Sequence, residues 1–99
     1  MIVAFGDSDL AKIETPEAAK TRFSVAVIKS ARRKLTVIRA APDERALRNW
    51  KSLHYEKLKG DREGQCSIRL NDQYRMIFEL DDADSPPKVT ILAIEDYHR

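Results

Sequence analysis

A chain of 99 residues is long enough for one domain with a modest core and too short for two. A charged fraction of 34% beside 42% hydrophobic residues is that of an ordinary globular protein, and no apolar run approaches the roughly 20 residues that a membrane span requires. The net charge of +2 conceals a segregation: residues 20–39 hold seven cations and no acid, whereas both ends of the chain are acidic. Such a distribution predicts a basic face for nucleic acid or for an acidic partner segment, weighed against an ordinary solvated helix face. Cys66 is the single cysteine, so an intrachain disulfide is impossible and a reducing compartment, the cytoplasm, is expected. One cysteine and two widely spaced histidines make no metal-site pattern, and neither metal nor cofactor is expected. The opening residues, Met1 to Asp7, have no basic n-region and no long apolar stretch, so no secretory signal is expected.

Taken in order, Ile2 to Phe5 reads as an edge strand. Asp7, Ser8 or Asp9 can cap a short helix that turns Leu10 and Ile13 inward. Thr15-Pro16-Glu17 combines a capping hydroxyl, a proline at the first helical position and an acid in the first turn, which predicts a helix from there to about Ala40. Phe23, Val27, Ala31, Leu35 and Ile38 would form its buried stripe, at the spacing of a helical period. Pro42-Asp43 opens a short helical turn through about Trp50, with Leu47 and Trp50 as apolar anchors, and Leu53 to Lys57 is expected as a strand. An acidic, proline-containing loop over 81–87 separates these from Val89 to Ile94, whose nearly continuous apolar run predicts a central strand covered on both faces.

The most informative stretch lies between them. After a charged loop from Gly60 to Gly64, Cys66, Ile68 and Leu70 alternate with Gln65, Ser67 and Arg69; then Tyr74, Met76, Phe78 and Leu80 alternate with Arg75, Ile77 and Glu79. Period-two alternation predicts two half-buried strands. A three-residue loop, Asn71-Asp72-Gln73, pairs Leu70 with Tyr74, Ile68 with Met76 and Cys66 with Phe78 on one apolar face. A two-residue loop would flip the faces. The chosen register leaves a left-handed loop position to a non-glycine residue and sets Arg69 opposite Arg75 on the other face. That like-charged pair either holds an anion or splays into solvent. Two N-terminal helices on a mostly antiparallel sheet make a two-layer α+β fold, with residues 1–99 as a single domain.

Leu58-Lys59-Gly60-Asp61-Arg62-Glu63-Gly64, Ser67-Ile68-Arg69, Asn71-Asp72-Gln73-Tyr74-Arg75 and the terminal Asp96-Tyr97-His98 together resemble the HigB family of the RelE/ParE superfamily. The resemblance implies a RelE-like fold and the toxin component of a type II toxin–antitoxin module. It further implies a ribosome-dependent endoribonuclease acting on mRNA, neutralised by a helix-turn-helix antitoxin through which alone it would reach operator DNA. The family's active site draws on positions that fall here on Lys59, Arg75, Asp96, Tyr97 and His98. Related members often carry a histidine three residues before the lysine; this chain has Glu56 there, with His54 two residues earlier. The tryptophan before the site arginine is here Tyr74, a frequent aromatic of the first hairpin strand is Cys66, and Arg99 extends past the usual terminal histidine.

RNA cleavage by side chains alone needs a base for the 2′-hydroxyl, an acid for the leaving 5′-oxygen and cations for the phosphorane. His98 suits proton transfer because its ordinary pKa of about 6.5 lies near working pH, although a histidine at that position can equally be a surface residue. Glu56 can serve as the base or pair with a neighbouring lysine, and His54 reads as structural or exposed. Lys59 and Arg75 suit the scissile phosphate and Arg69 an adjacent one. Tyr97 can stack on a base or pack the last strand, and Asp96 can orient His98 or Arg75. Arg22, Lys29, Arg32 and Arg33 are the candidates for contact with ribosomal RNA or an acidic antitoxin segment, and Cys66 is expected in the core. The rival expectation is a non-enzymatic, ParE-like inhibitor of DNA gyrase, or a homologue that only binds its antitoxin.

Overall fold

The computed structural model describes residues 1–83 and 85–96. Its elements are β1 (Ile2–Phe5), α1 (Ser8–Lys12), a 3-10 turn (Pro16–Lys20), α2 (Val25–Ala40), α3 (Glu44–Asn49), a second 3-10 turn (Lys51–Leu53), β2 (Glu56–Lys57), a third (Gly60–Arg62), β3 (Gln65–Arg69), β4 (Tyr74–Asp81) and β5 (Lys88–Asp96). The five strands form one sheet in the order β1-β5-β4-β3-β2. Three pairs are antiparallel and β1 runs parallel to β5. Helices cover one face of the sheet, the two-layer α+β arrangement expected from the pattern. Among the described residues, no helix is long and apolar enough to cross a membrane.

The hairpin adopts the expected register. Cys66 pairs with Phe78, Ile68 with Met76 and Arg69 with Arg75, and the Leu70 N–H donates to the Tyr74 carbonyl at 2.9 Å. The loop needs no left-handed residue, contrary to expectation: among the described residues the one non-glycine with positive φ is His54. Instead the Asn71 side-chain oxygen accepts from the N–H groups of Gln73 (2.9 Å) and Tyr74 (2.8 Å), supplying the turn's hydrogen bonds itself.

The long helix begins later than the sequence suggested. Pro16–Lys20 is a separate 3-10 turn, and α2 starts at Val25 with Ser24 as its cap, the Ser24 hydroxyl accepting from Val27 N–H at 3.2 Å. The Thr21 hydroxyl donates to the Ala18 carbonyl at 2.6 Å and accepts from Phe23 N–H, so local side-chain bonds take the backbone out of the helix. From Val27 to Ile38 the stripe is buried as expected, together with Ile28 and with Ser30, whose hydroxyl donates to the Leu70 carbonyl at 2.6 Å. Leu10, Ile13, Leu35, Leu47, Ile68, Met76 and Phe78 meet in the core.

Three further expectations fail locally. Trp50 is no anchor: it stands 53% exposed where α3 gives way to the 3-10 turn. The strand expected over 53–57 shrinks to Glu56–Lys57, because His54 takes a left-handed conformation (φ 48°) that ends the turn before it. β5 lies inside the sheet but is not covered on both faces; Val89 and Ile91 are buried whereas Leu92 and Ala93 are half-buried. A bulge at Leu92 explains the apolar run, since Phe78 pairs with Ile91 and Ile77 with Ala93. The extra residue lets Ile91 and Ile94 share the core face.

Cys66 is 6% exposed, with its Sγ 3.2 Å from the Tyr55 hydroxyl. Burial pushes its thiol pKa up, which depletes the reactive thiolate. A thiol reagent at neutral pH is therefore expected to label native Cys66 far more slowly than the urea-unfolded chain. Equal rates would contradict both the burial and the register.

Candidate active site

Side chains alternate across a strand, so Glu56, Ser67, Arg69, Arg75, Ile77 and Glu95 share the sheet face turned away from α2. Two rows cross it: Glu56, Ser67 and Ile77 in one, Arg69, Arg75 and Glu95 in the next. A cleft of about 350 Å³ opens over this face and the hairpin loop, lined by His54, Glu56, Arg69, Asn71, Asp72, Gln73 and Arg75.

Arg75 is the centre of the arrangement and is 7% exposed, so it does not splay into solvent. Its Nε donates to the Ser67 hydroxyl at 2.9 Å, and its terminal nitrogen donates to the carbonyls of His54 and, at 3.4 Å, Ser67. Ser67 and Ile77 are fully buried beside it. Arg69 turns the other way, its Nε donating to the Asn71 carbonyl at 3.2 Å and its guanidinium pairing with the exposed Asp72. The two facing arginines thus diverge, one into a buried hydrogen-bonded seat and the other onto the loop, which removes the cost of like charges in register. The left-handed turn at His54 aims its carbonyl at Arg75 and brings the imidazole-bearing residue to the cleft wall beside Glu56.

The other expected site residues are placed as follows. Lys59 is exposed at the start of the Gly60–Arg62 turn and is not part of the cleft lining. Asp96 ends β5 opposite Tyr74, and its carboxylate accepts from Gln73 Nε2 at 2.9 Å at the cleft rim. Glu95, which pattern reasoning passed over, holds the register position opposite Arg75. It is clasped by Arg62 through bonds of 2.7 and 2.5 Å, which hold its carboxyl below the usual range. Tyr97 and His98 lie outside the described residues. His54 was legible only as a lone histidine, and no local signal showed that a left-handed turn would carry it to the cleft.

The basic segment is less of a docking face than its charge suggested. Arg22 pairs with Asp9 at 3.0 Å and lies over the Phe23 ring at 4.6 Å. Arg32 donates to the carbonyls of Ile13 (2.7 Å) and Thr15 (3.1 Å), tying the first helical turns to α2. Lys29 and Arg33 are exposed on α2, in the layer behind the sheet rather than on the cleft face. A second cavity, of about 570 Å³, runs along the β2 and β3 ends past Glu44, Lys57, Glu63 and Cys66. There the Tyr55 hydroxyl donates to Glu44 at 2.8 Å; burial pushes that hydroxyl's pKa up, so it stays protonated.

Residues 4–90 match the family model of the RelE-like toxin HigB of type II toxin–antitoxin systems. The chain belongs to the HigB-like toxin family. Over 50 residues this HigB-like toxin is 46% identical to Toxin HigB-1 of Vibrio cholerae serotype O1, a match covering 50% of this chain and 53% of that one. The alignment therefore spans about half the length of that curated relative. Solved structures share the fold at low identity. YafQ from E. coli superposes with a TM-score of 0.62 at 8% identity, over 95% of this chain and 90% of that one. The YoeB/ParE toxin from Agrobacterium tumefaciens gives 0.59 at 15%, over 99% and 100%. A chain of the heterotetrameric YoeB-YefM toxin–antitoxin complex from Staphylococcus aureus gives 0.59 at 20%, over 100% and 98%.

Proposed function

We propose that this HigB-like toxin is an mRNA endonuclease that acts on the ribosome in the cytoplasm and is held inactive by a helix-turn-helix antitoxin. The observation that carries the reading is the convergence of Arg75, Arg69, Glu56 and His54 on one cleft of about 350 Å³. A binding-only toxin needs no such combination of rigid guanidinium with titratable groups in a cavity. Arg75 is held by its hydrogen bonds to Ser67 and His54 at the cleft wall, so its charge is in place before the phosphate arrives. Arg69, half-buried and anchored to the loop, is suited to the neighbouring phosphate.

The chemistry proceeds by attack of the substrate 2′-oxygen on the adjacent phosphorus. A base, Glu56 or His54 at the cleft wall or His98 from the chain end, takes the 2′-hydroxyl proton, and the phosphorane charge develops against Arg75. The P–O5′ bond then breaks and an acid returns a proton to the 5′-oxygen. Asp96 at the rim, with Tyr97 and His98 after it, completes the set of side chains, and Lys59 serves the phosphate from the adjoining loop. The antitoxin would compete with RNA for this face, and the exposed Lys29 and Arg33 of α2 are open to ribosomal RNA or an acidic antitoxin segment.

The test is the chemistry of the cut ends. Ribosomes programmed with mRNA and treated with the protein are expected to yield fragments that end in a 2′,3′-cyclic or 3′-phosphate and begin with a 5′-hydroxyl. Fragments with a 5′-phosphate, or growth arrest that tracks gyrase inhibition with intact mRNA, would overturn the reading.

A further inference from the structure

The Arg62–Glu95 pair is not explained by what the cleft residues do. Arg62 sits in the loop between β2 and β3, and Glu95 lies two strands beyond β3, on β5. Both Glu95 oxygens are taken in a bidentate fork at 2.7 and 2.5 Å, while Arg62 Nε donates to Gln65 at 3.3 Å. The guanidinium thus spans from Gln65 on β3 to Glu95 on β5, on the sheet face that carries Ser67 and Ile77. The loop it pulls down begins after Lys59 and turns at two glycines of positive φ, Gly60 (66°) and Gly64 (93°), with nothing within 4 Å of where their side chains would stand. Within it the Arg62 N–H donates to the Lys59 carbonyl at 3.3 Å and the Glu63 N–H to the Gly60 carbonyl at 3.1 Å, and at its base the Leu58 N–H donates to the Gln65 carbonyl at 2.9 Å. These bonds are local, whereas the Arg62 fork ties the loop to a strand two places away in the sheet.

An ion pair 39% and 36% exposed adds little to global stability. Its geometric consequences are larger. It ties the Lys59 loop to the strand that carries Glu95 opposite Arg75 and ends at Asp96. It also neutralises a carboxylate that would otherwise stand in the same row as Arg69 and Arg75, where an RNA phosphate is to bind.

We propose that Arg62 and Glu95 form a clasp that positions the Lys59 loop over the catalytic face and masks the Glu95 charge from RNA; both are positioning residues. The proposal rests on the nuclease reading above. Arg62→Ala is expected to lower kcat for ribosome-bound mRNA about tenfold or more, since small misplacements of a catalytic group are costly. It should also raise KM severalfold through the unmasked carboxylate. Adding Glu95→Gln to Arg62→Ala should return KM toward the wild-type value and leave kcat low. The swap Arg62→Glu with Glu95→Arg should recover much of kcat, which a merely destabilised fold would not do. Amide hydrogen exchange over residues 58–64 should speed up in Arg62→Ala and slow again in the swap, whatever the activity. A kcat within twofold of wild type for Arg62→Ala, or unchanged exchange in the loop, overturns the clasp while leaving the nuclease reading intact. Failure of the wild-type protein itself to cut mRNA overturns that reading and the positioning role together.

Discussion

Arg75→Ala is expected to reduce mRNA cleavage by about 100-fold or more and to weaken the fold at the same time. The catalytic part follows from losing a fixed cation where charge develops in the phosphorane; removal of one such group costs about 100- to 1,000-fold in comparable sites. The structural part follows from burial. With Arg75 gone, the Ser67 hydroxyl and the His54 carbonyl lose their donor in a place where Ser67 is fully shielded from water. Each buried polar group left unpaired costs about 1–3 kcal/mol, and a cavity replaces the side chain. Urea titrations followed by circular dichroism should show a lower midpoint than wild type, and cleavage should be compared under conditions where both proteins are folded. Arg75→Lys keeps the charge but not the fork, so it should recover part of the activity and little of the stability. A folded Arg75→Ala protein that cleaves at the wild-type rate would remove Arg75 from the reacting centre.

The second large effect is expected at the proton-transfer group. His98→Gln should lower kcat by about 100-fold, because general acid–base groups contribute about 100- to 10,000-fold. The limb of the pH–rate profile governed by an imidazole, near pH 6.5 in the unperturbed case, should disappear with it. β5 delivers Asp96 to the cleft rim, where Gln73 hydrogen-bonds its carboxylate two residues before His98. The comparison that decides the assignment is with His54→Gln and Glu56→Gln, the two titratable residues of the cleft wall. If His98→Gln cleaves at the wild-type rate and either of these lowers kcat about 100-fold, proton transfer belongs to the wall and not to the chain end.

Much of this molecule was legible along the chain because its signals are local. Alternation from Gln65 to Leu80 determined two strands, and the number of residues between Leu70 and Tyr74 determined their register, because a slip of one residue would have turned Phe78 and Met76 into solvent. That register alone set Arg69 beside Arg75. The helical period determined which side of α2 is buried, from Val27 to Ile38. The same reading placed the start of α2 too early, since the Phe23–Val27 spacing continued a helical stripe across a break made by the hydroxyls of Thr21 and Ser24. A serine immediately before Val25 was the available signal, and it competed with a stronger one at Pro16.

What only the tertiary structure decided are the partners of the charged side chains. Charge in a sequence has a sign but no address, and a guanidinium reaches whichever acceptor the fold brings within about 3 Å. Hence Arg32, counted with the RNA-facing cations, ties down the carbonyls of Ile13 and Thr15, and Arg62 crosses the sheet to Glu95. The seat of Arg75 depended on the left-handed turn at His54, a single backbone conformation between two core-packed residues, Leu53 and Tyr55, that no periodicity announces. The sequence alone determined which residues share a face. Three-dimensional packing determined which of them are exposed, which are neutralised, and which converge on one cleft.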